Sequence, residues 1–177
     1  MLIIYLKEGI FSLDARTNKK EVQDMDLSSF KVTEELVKQQ AMVYARRIGA
    51  YGAENVMLME KFKLWANNHG YMTDEAVLLG IAQDDVNIVS PQQCRYDVVL
   101  LGNYDADEEW IASDIFPGGK YIVMEVPHTS EAVSLVWKEG IAFLSQQYRL
   151  DFSKPIIERY QKKLVVHHLC EMLFPVI

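Results

Sequence analysis

The chain has 177 residues, of which 50% are hydrophobic, and a formal net charge of -7 at pH 7. This length predicts one globular domain with a sizeable core. The negative charge argues against direct binding of nucleic acid or of an anionic membrane, because both depend on concentrated Lys and Arg. Cys94 and Cys170 lie in apolar segments without a Cys-x-x-Cys pattern, so we expect no disulfide framework, no zinc site and no cofactor.

Residues 1–30 have the character of an appendage to the main domain. The apolar run at residues 1–6 is too short for a signal-peptide core or a membrane span, which predicts a cytoplasmic protein. A turn at residues 7–9 and a polar stretch after Leu13 indicate a hairpin followed by a linker. We therefore expect the main domain to cover residues 31–177.

The first half of this domain contains one helix and three strands. A strand candidate begins at Lys31 and ends at residues 41–48, and apolar residues at three- and four-residue spacing predict a helix over residues 53–69. Strand formers then predict strands at residues 76–82 and 94–101.

The second half repeats this order. Residues 120–126 predict a strand, and Thr129 or Ser130 can cap a helix with a single apolar stripe. Strands follow at residues 155–160 and 169–176. The duplicated order of strand, helix, strand, strand predicts an α+β fold, with two main helices covering a curved antiparallel sheet.

Glu171 stands in the otherwise apolar run of the last predicted strand. Its side chain should share a face with Leu169 and Leu173, while Cys170 and Met172 point the other way, so both faces look buried. A buried carboxylate needs a partner, a proton or a cationic ligand. The alternatives to a ligand site are that Glu171 lies at a sheet edge, pairs with a Lys or Arg, or contacts water.

Five segments in the right order resemble the GyrI-like small-molecule-binding domain, a module of gyrase-inhibitory proteins and of AraC-type and MerR-type transcription regulators. The segments are residues 47–51 (RIGAY), 93–99 (QCRYDVV), 118–123 (GGKYIV), 155–160 (PIIERY) and 170–176 (CEMLFPV). The resemblance implies two pseudo-symmetric halves around a central ligand cleft.

The resemblance also implies site residues. It places Glu171 at the floor of the cleft and aromatic side chains around it, namely Tyr51, Trp65, Tyr121 and Trp137. For the two tryptophans, plain core packing is an equal alternative. A carboxylate with aromatic faces can recognise a lipophilic cation or a drug-like aromatic compound.

Three functions follow as hypotheses. The first is a stand-alone small-molecule (multidrug) effector-binding protein, with a transcription-regulator partner for any promoter contact, because residues 1–30 are too few for a helix-turn-helix module. The second is a gyrase-binding inhibitor that uses the acidic residues 105–109. The third is a hydrolase of reactive small molecules, in which Glu125 would reach Glu171 to form a pair of acids. We rank catalysis below binding, because the chain shows no Ser-His-Asp or Cys-His arrangement.

Overall fold

The computed structural model describes residues 25–177 and shows eight strands and three α-helices. The strands are β1 Lys31–Val37, β2 Gln40–Ile48, β3 Val77–Ala82, β4 Arg95–Leu101, β5 Ala112–Phe116, β6 Gly119–Pro127, β7 Ile157–Gln161 and β8 Leu169–Pro175. The helices are α1 Ala53–Asn68, α2 Ser130–Leu144 and the single turn α3 Lys162–Val165.

All strands form one antiparallel sheet in the order β1-β6-β8-β7-β3-β4-β2-β5. The order β2-β4-β3 in the first half mirrors β6-β8-β7 in the second, and β3 pairs with β7 at the centre. The predicted α+β fold, with a duplicated strand-helix-strand-strand unit and two main helices on a curved sheet, is confirmed.

The register locates the local two-fold relation between the halves. Gly80 on β3 pairs with Val98 in the first half, and Glu158 on β7 pairs with Met172 in the second. Gly80 and Glu158 are also paired with each other. The pseudo-two-fold axis therefore passes between these two residues.

Both main helices have clear sequence reasons for their limits. The Thr129 hydroxyl accepts a hydrogen bond from the Ala132 N–H and caps α2. Beyond α1, Gly70 has a φ of 70° and the Tyr71 N–H donates to the Ala66 carbonyl, which ends the helix in a left-handed turn.

The two helices cover one face of the sheet, which we call the helical face. Phe62 and Ala66 of α1 pack against the first half, and Val133 and Val136 of α2 pack against the second. The opposite face, which we call the inner face, holds a third apolar cluster that no described helix joins. Its buried members include Val37, Leu79, Val99, Phe116 and Leu173.

The structure adds two features that the sequence pattern did not predict. The expected strand between residues 31 and 48 is two strands, because the chain breaks at Lys38 and Gln39 and β1 pairs with β6 instead of β2. The strand β5 is mostly exposed and pairs only with β2, so its residues lack the apolar alternation of a covered strand. Of the expected N-terminal hairpin and linker, residues 1–24 lie outside the described residues.

Gly118 offers a test of the close approach between the β1–β2 and β5–β6 connections. Its φ is 66°, and a Cβ there would lie 2.4 Å from the Val37 carbonyl oxygen. Gly70 has a φ of 70° but open space around it. In urea unfolding, we expect Gly118→Ala to lose at least about 1 kcal/mol more than Gly70→Ala, because only the first adds overlap to backbone strain. Equal losses would contradict the close approach.

Candidate functional site

Strand β7 carries polar side chains to both faces of the sheet, because its residues alternate. Glu158 and Tyr160 point to the helical face, whereas Arg159 and Gln161 point to the inner face. The two faces are best described separately, since their charges are arranged differently.

On the helical face, Glu158 accepts two hydrogen bonds from neutral groups. The Trp137 indole Nε1–H donates to its Oε1 at 2.6 Å, and the Tyr160 hydroxyl donates to its Oε2 at 2.7 Å. No Lys, Arg or His forms a salt bridge with Glu158 within residues 25–177. This half-buried carboxylate therefore has hydrogen bonds but no cation.

Two opposing influences act on the pKa of Glu158. Burial raises the pKa of Glu158, against the opposing effect of the hydrogen bonds from Tyr160 and Trp137. Burial, and then the charge of Glu158, hold the pKa of Tyr160 well above its usual value. A bound cation would favour the ionised carboxylate, because an opposite charge offsets the cost of desolvation.

Residues from both halves of the domain meet at Glu158. Tyr160 packs against the helical-face clusters of both halves, and the His128 ring lies 5.3 Å from the Tyr160 ring. Burial first, and then the positive charge of Lys63 on α1, lower the pKa of His128. We call the group of Glu158, Tyr160, Trp137, Tyr96 and His128 the Glu158 cluster.

Gly80 provides the room in which this cluster is arranged. A Cβ at Gly80 would lie 2.6 Å from the Tyr96 hydroxyl and 3.3 Å from Glu158 Oε2. Any side chain at this position would therefore displace the tyrosine. The glycine is required by close approach and not by its backbone conformation.

On the inner face, Glu171 already has a cationic partner. Arg159 Nε donates to Glu171 Oε2 at 2.7 Å, and the Gln161 amide donates to the same oxygen at 2.8 Å. The other two guanidinium nitrogens of Arg159 donate to Glu35 on β1 at 2.9 Å and 2.7 Å. Glu171 is 9% exposed, and its partner matches the Lys-or-Arg alternative considered from the sequence.

The first half of the domain contains a residue that is structurally equivalent to Glu171. Asp97 and Glu171 are the third residues of β4 and β8 and occupy equivalent places in the register. Asp97 accepts two hydrogen bonds from Arg46 and one from Gln83. An arginine and a glutamine thus hold a buried carboxylate in each half, which indicates a role of Glu171 in the fold.

A cavity of about 590 Å³ opens on the inner face beside Glu171. Glu125 lines the cavity and pairs with Glu171 across β6 and β8, as paired-acid chemistry would require. However, Lys31 lies 3.5 Å from Glu125, and Arg159 binds Glu171. Each carboxylate has its own cation, unlike two acids that share a proton.

The four aromatic residues predicted from the resemblance do not gather around Glu171. Trp137 reaches Glu158 on the opposite face, and the Trp65 indole donates to Asp107 at 3.2 Å. The Tyr51 hydroxyl donates to the Arg95 carbonyl at 2.9 Å. Tyr121 is 2% exposed within the inner-face cluster. The expectation that Trp65 and Trp137 lie beside Glu171 is therefore corrected, because α1 and α2 lie on the opposite face. Tyr121 does share the inner face with Glu171, but it pairs with Pro175, four residues along β8.

Sequence reasoning missed Glu158, Tyr160, Tyr96 and His128 as a group. Glu158 lies inside one of the five segments that carry the family resemblance, but its polar neighbours gave no sign that it is half-buried.

None of the described helices is long and apolar enough to cross a membrane. Within the part of the chain that the structure describes, no group of three or more His, Cys, Asp or Glu residues could hold a metal ion.

The contact between Glu35 and Arg159 predicts a pH dependence of stability. The hydrogen bond from Arg159 lowers the pKa of Glu35, so this contact stabilises the fold above the unfolded value of about 4.3. The stabilisation is lost as the pH falls through the lower folded value. We expect Glu35→Gln to be less stable than the wild type at pH 7 and to lose less stability on acidification.

Urea unfolding between pH 7 and pH 3 measures this difference. Glu34→Gln is the matched control, because Glu34 is exposed and forms its salt bridge with Lys120 instead. Parallel curves for the wild type and Glu35→Gln would contradict the assignment.

Comparison with known proteins agrees with this architecture. The GyrI-like small molecule binding domain matches residues 30–176. The SPbeta prophage-derived candidate transcriptional regulator YosT of Bacillus subtilis (strain 168) is 39% identical over 148 residues, which cover 82% of this chain and 99% of YosT.

Two solved structures share the fold. The C-terminal domain of EcmrR matches with a TM-score of 0.65 at 11% identity, over 84% of this chain and 98% of that domain. SAV2435 bound to tetraphenylphosphonium matches with a TM-score of 0.54 at 18% identity, over 84% of this chain and 94% of SAV2435. From the family match, the identity to YosT and the duplicated fold, this chain belongs to the family of the GyrI-like small-molecule binding domain.

Proposed function

We propose that the protein is an effector-binding protein whose Glu158 cluster takes lipophilic, drug-like organic cations. The observation that carries this proposal is a half-buried carboxylate whose only hydrogen-bond donors within residues 25–177 are neutral. Such a group binds a cation more favourably than one that already has a salt bridge. Glu171, which Arg159 holds, is the less suitable carboxylate.

The aromatic members of the cluster add to this preference. Trp137 and Tyr160 place aromatic rings beside the carboxylate, and Tyr96 lies across Gly80 from them. Each cation–π contact contributes about 0.5 to 2 kcal/mol, depending on how far the cation is desolvated. A ligand with one positive charge and flat apolar groups fits this combination.

The relatives support a sensing role. SAV2435 has a structure with the lipophilic cation tetraphenylphosphonium, and EcmrR has a structure in complex with DNA. We propose that this chain likewise reports the presence of a cation to transcription, and that a partner chain contacts the promoter. The net charge of -7 supports this division, because DNA binding depends on positive charge.

Paired glutamine variants test the proposed carboxylate. Tetraphenylphosphonium and the neutral triphenylphosphine oxide would be titrated against the wild type, Glu158→Gln and Glu171→Gln by calorimetry. We expect Glu158→Gln to weaken phosphonium binding about tenfold or more, since interactions with a charged group contribute about 1.5 to 3 kcal/mol. Its binding of the neutral compound should change little.

Glu171→Gln provides the comparison on the other face of the sheet. We expect it to leave the ratio of the two affinities unchanged, although it weakens the contact with Arg159. An equal loss of both ligands in Glu158→Gln, or a selective loss in Glu171→Gln, would overturn the proposal. Melting temperatures of the three proteins show whether each variant is folded.

Hydrolysis of reactive small molecules is a second candidate. One observation favours it: burial raises the pKa of Glu158, in the direction that a general acid needs. A solved structure named as a hydrolase from Listeria innocua has a TM-score of 0.51 at 12% identity. Release of nitrophenol from p-nitrophenyl acetate, lost in Glu158→Gln, would support catalysis, whereas release that persists in this variant would reject Glu158 as its acid.

A further inference from the structure

The Tyr96 hydroxyl of the Glu158 cluster has no hydrogen-bond partner among the described residues. Tyr96 is 8% exposed, and its hydroxyl forms no hydrogen bond with any residue between 25 and 177. The oxygen itself is not fully buried, so a hydrogen-bonding group from outside the chain can satisfy it.

The Tyr96 hydroxyl lies close to Gly80, on the side of the sheet that Glu158 faces. It sits over Gly80, where an added Cβ would be 2.6 Å from the hydroxyl oxygen and 3.3 Å from Glu158 Oε2. Burial, and then the charge of Glu158, hold the pKa of Tyr96 well above its usual value. The hydroxyl therefore keeps its proton and is available as a donor beside the carboxylate.

The neighbouring protein groups do not satisfy it. The two oxygens of Glu158 accept from Trp137 and Tyr160, and the Tyr51 hydroxyl is bonded to the backbone of Asp84 and Arg95. No fully buried side-chain oxygen among the described residues lacks a hydrogen bond. The Tyr96 oxygen thus retains a small contact with solvent.

We propose that Tyr96 is a specificity-determining residue, whose hydroxyl donates a hydrogen bond to an oxygen that the ligand carries close to its cationic nitrogen. This inference rests on the proposed function of the Glu158 cluster and names its ligand class. The class is an arylalkylamine with a hydroxyl, ether or carbonyl oxygen three bonds from the ammonium nitrogen. Phosphonium ions without such an oxygen use the carboxylate and the aromatic faces alone.

Two amines that differ by one hydroxyl test this selection. 2-Phenylethylamine and 2-amino-1-phenylethanol would be titrated against the wild type, Tyr96→Phe and Tyr44→Phe. We expect the wild type to bind the amino alcohol about two- to tenfold more tightly, as one net hydrogen bond contributes about 0.5 to 1.5 kcal/mol. Tyr96→Phe should bring this ratio to about one.

Tyr44→Phe is the matched control, because Tyr44 packs on the inner face of the sheet and should not affect the ratio. A hydroxyl preference that survives in Tyr96→Phe, or no preference in the wild type, would overturn the inference while cation binding through Glu158 stands. If neither amine nor phosphonium binds more weakly to Glu158→Gln, the proposed function itself fails. Gly80→Ala is a second variant, and it should also lower the ratio by displacing the Tyr96 hydroxyl.

Discussion

The pairing of β3 with β7 is the constraint on which the rest of the structure depends. It joins the two halves of the duplicated sheet and puts Gly80 opposite Glu158 on the pseudo-two-fold axis. Each half contributes its own helix to the same face. The boundary between the halves, which we call the seam, therefore lies between α1 and α2. Residues on the helical face of the seam are the ones that both halves can reach, and for this reason Tyr160 contacts the clusters of both.

The alternation of β7 separates two charge arrangements that are neighbours in sequence. Arg159 points to the inner face, where it binds Glu35 and Glu171 and links β1, β7 and β8. Glu158, one residue earlier, points to the helical face and, among residues 25–177, has only neutral donors. Because a strand separates these side chains, the guanidinium cannot neutralise Glu158 without leaving both of its own partners. The sheet therefore carries carboxylates paired with a guanidinium on its inner face, and on its helical face a carboxylate for which we propose a binding role.

The helices, the duplicated order and the two-sided burial of β8 could all be predicted, since each depends on the spacing of apolar residues along the chain. The choice of Glu158 over Glu171 as the candidate ligand-binding carboxylate could not be predicted. Glu171 stands out because its neighbours are apolar. Glu158 is followed by Arg159, Tyr160 and Gln161, so this segment resembles the polar end of a strand. Only the strand register shows that Arg159 lies beside Glu171, twelve residues away in sequence, and points to the opposite face from Glu158. The strand β5 was missed for a related reason, because it is an exposed edge strand without alternation.

The duplication also explains why the seam can hold a single charge. A strict repeat would place a carboxylate at Gly80 as well as at Glu158, directly opposite each other across paired strands, where like charges repel. Glycine in one half removes that repulsion and leaves the space that the Tyr96 hydroxyl occupies. The first half thus gives room and the Tyr96 hydroxyl, while the second gives the carboxylate and Trp137. Under the proposed function, this asymmetry at an otherwise symmetric seam gives a single bound cation a defined orientation.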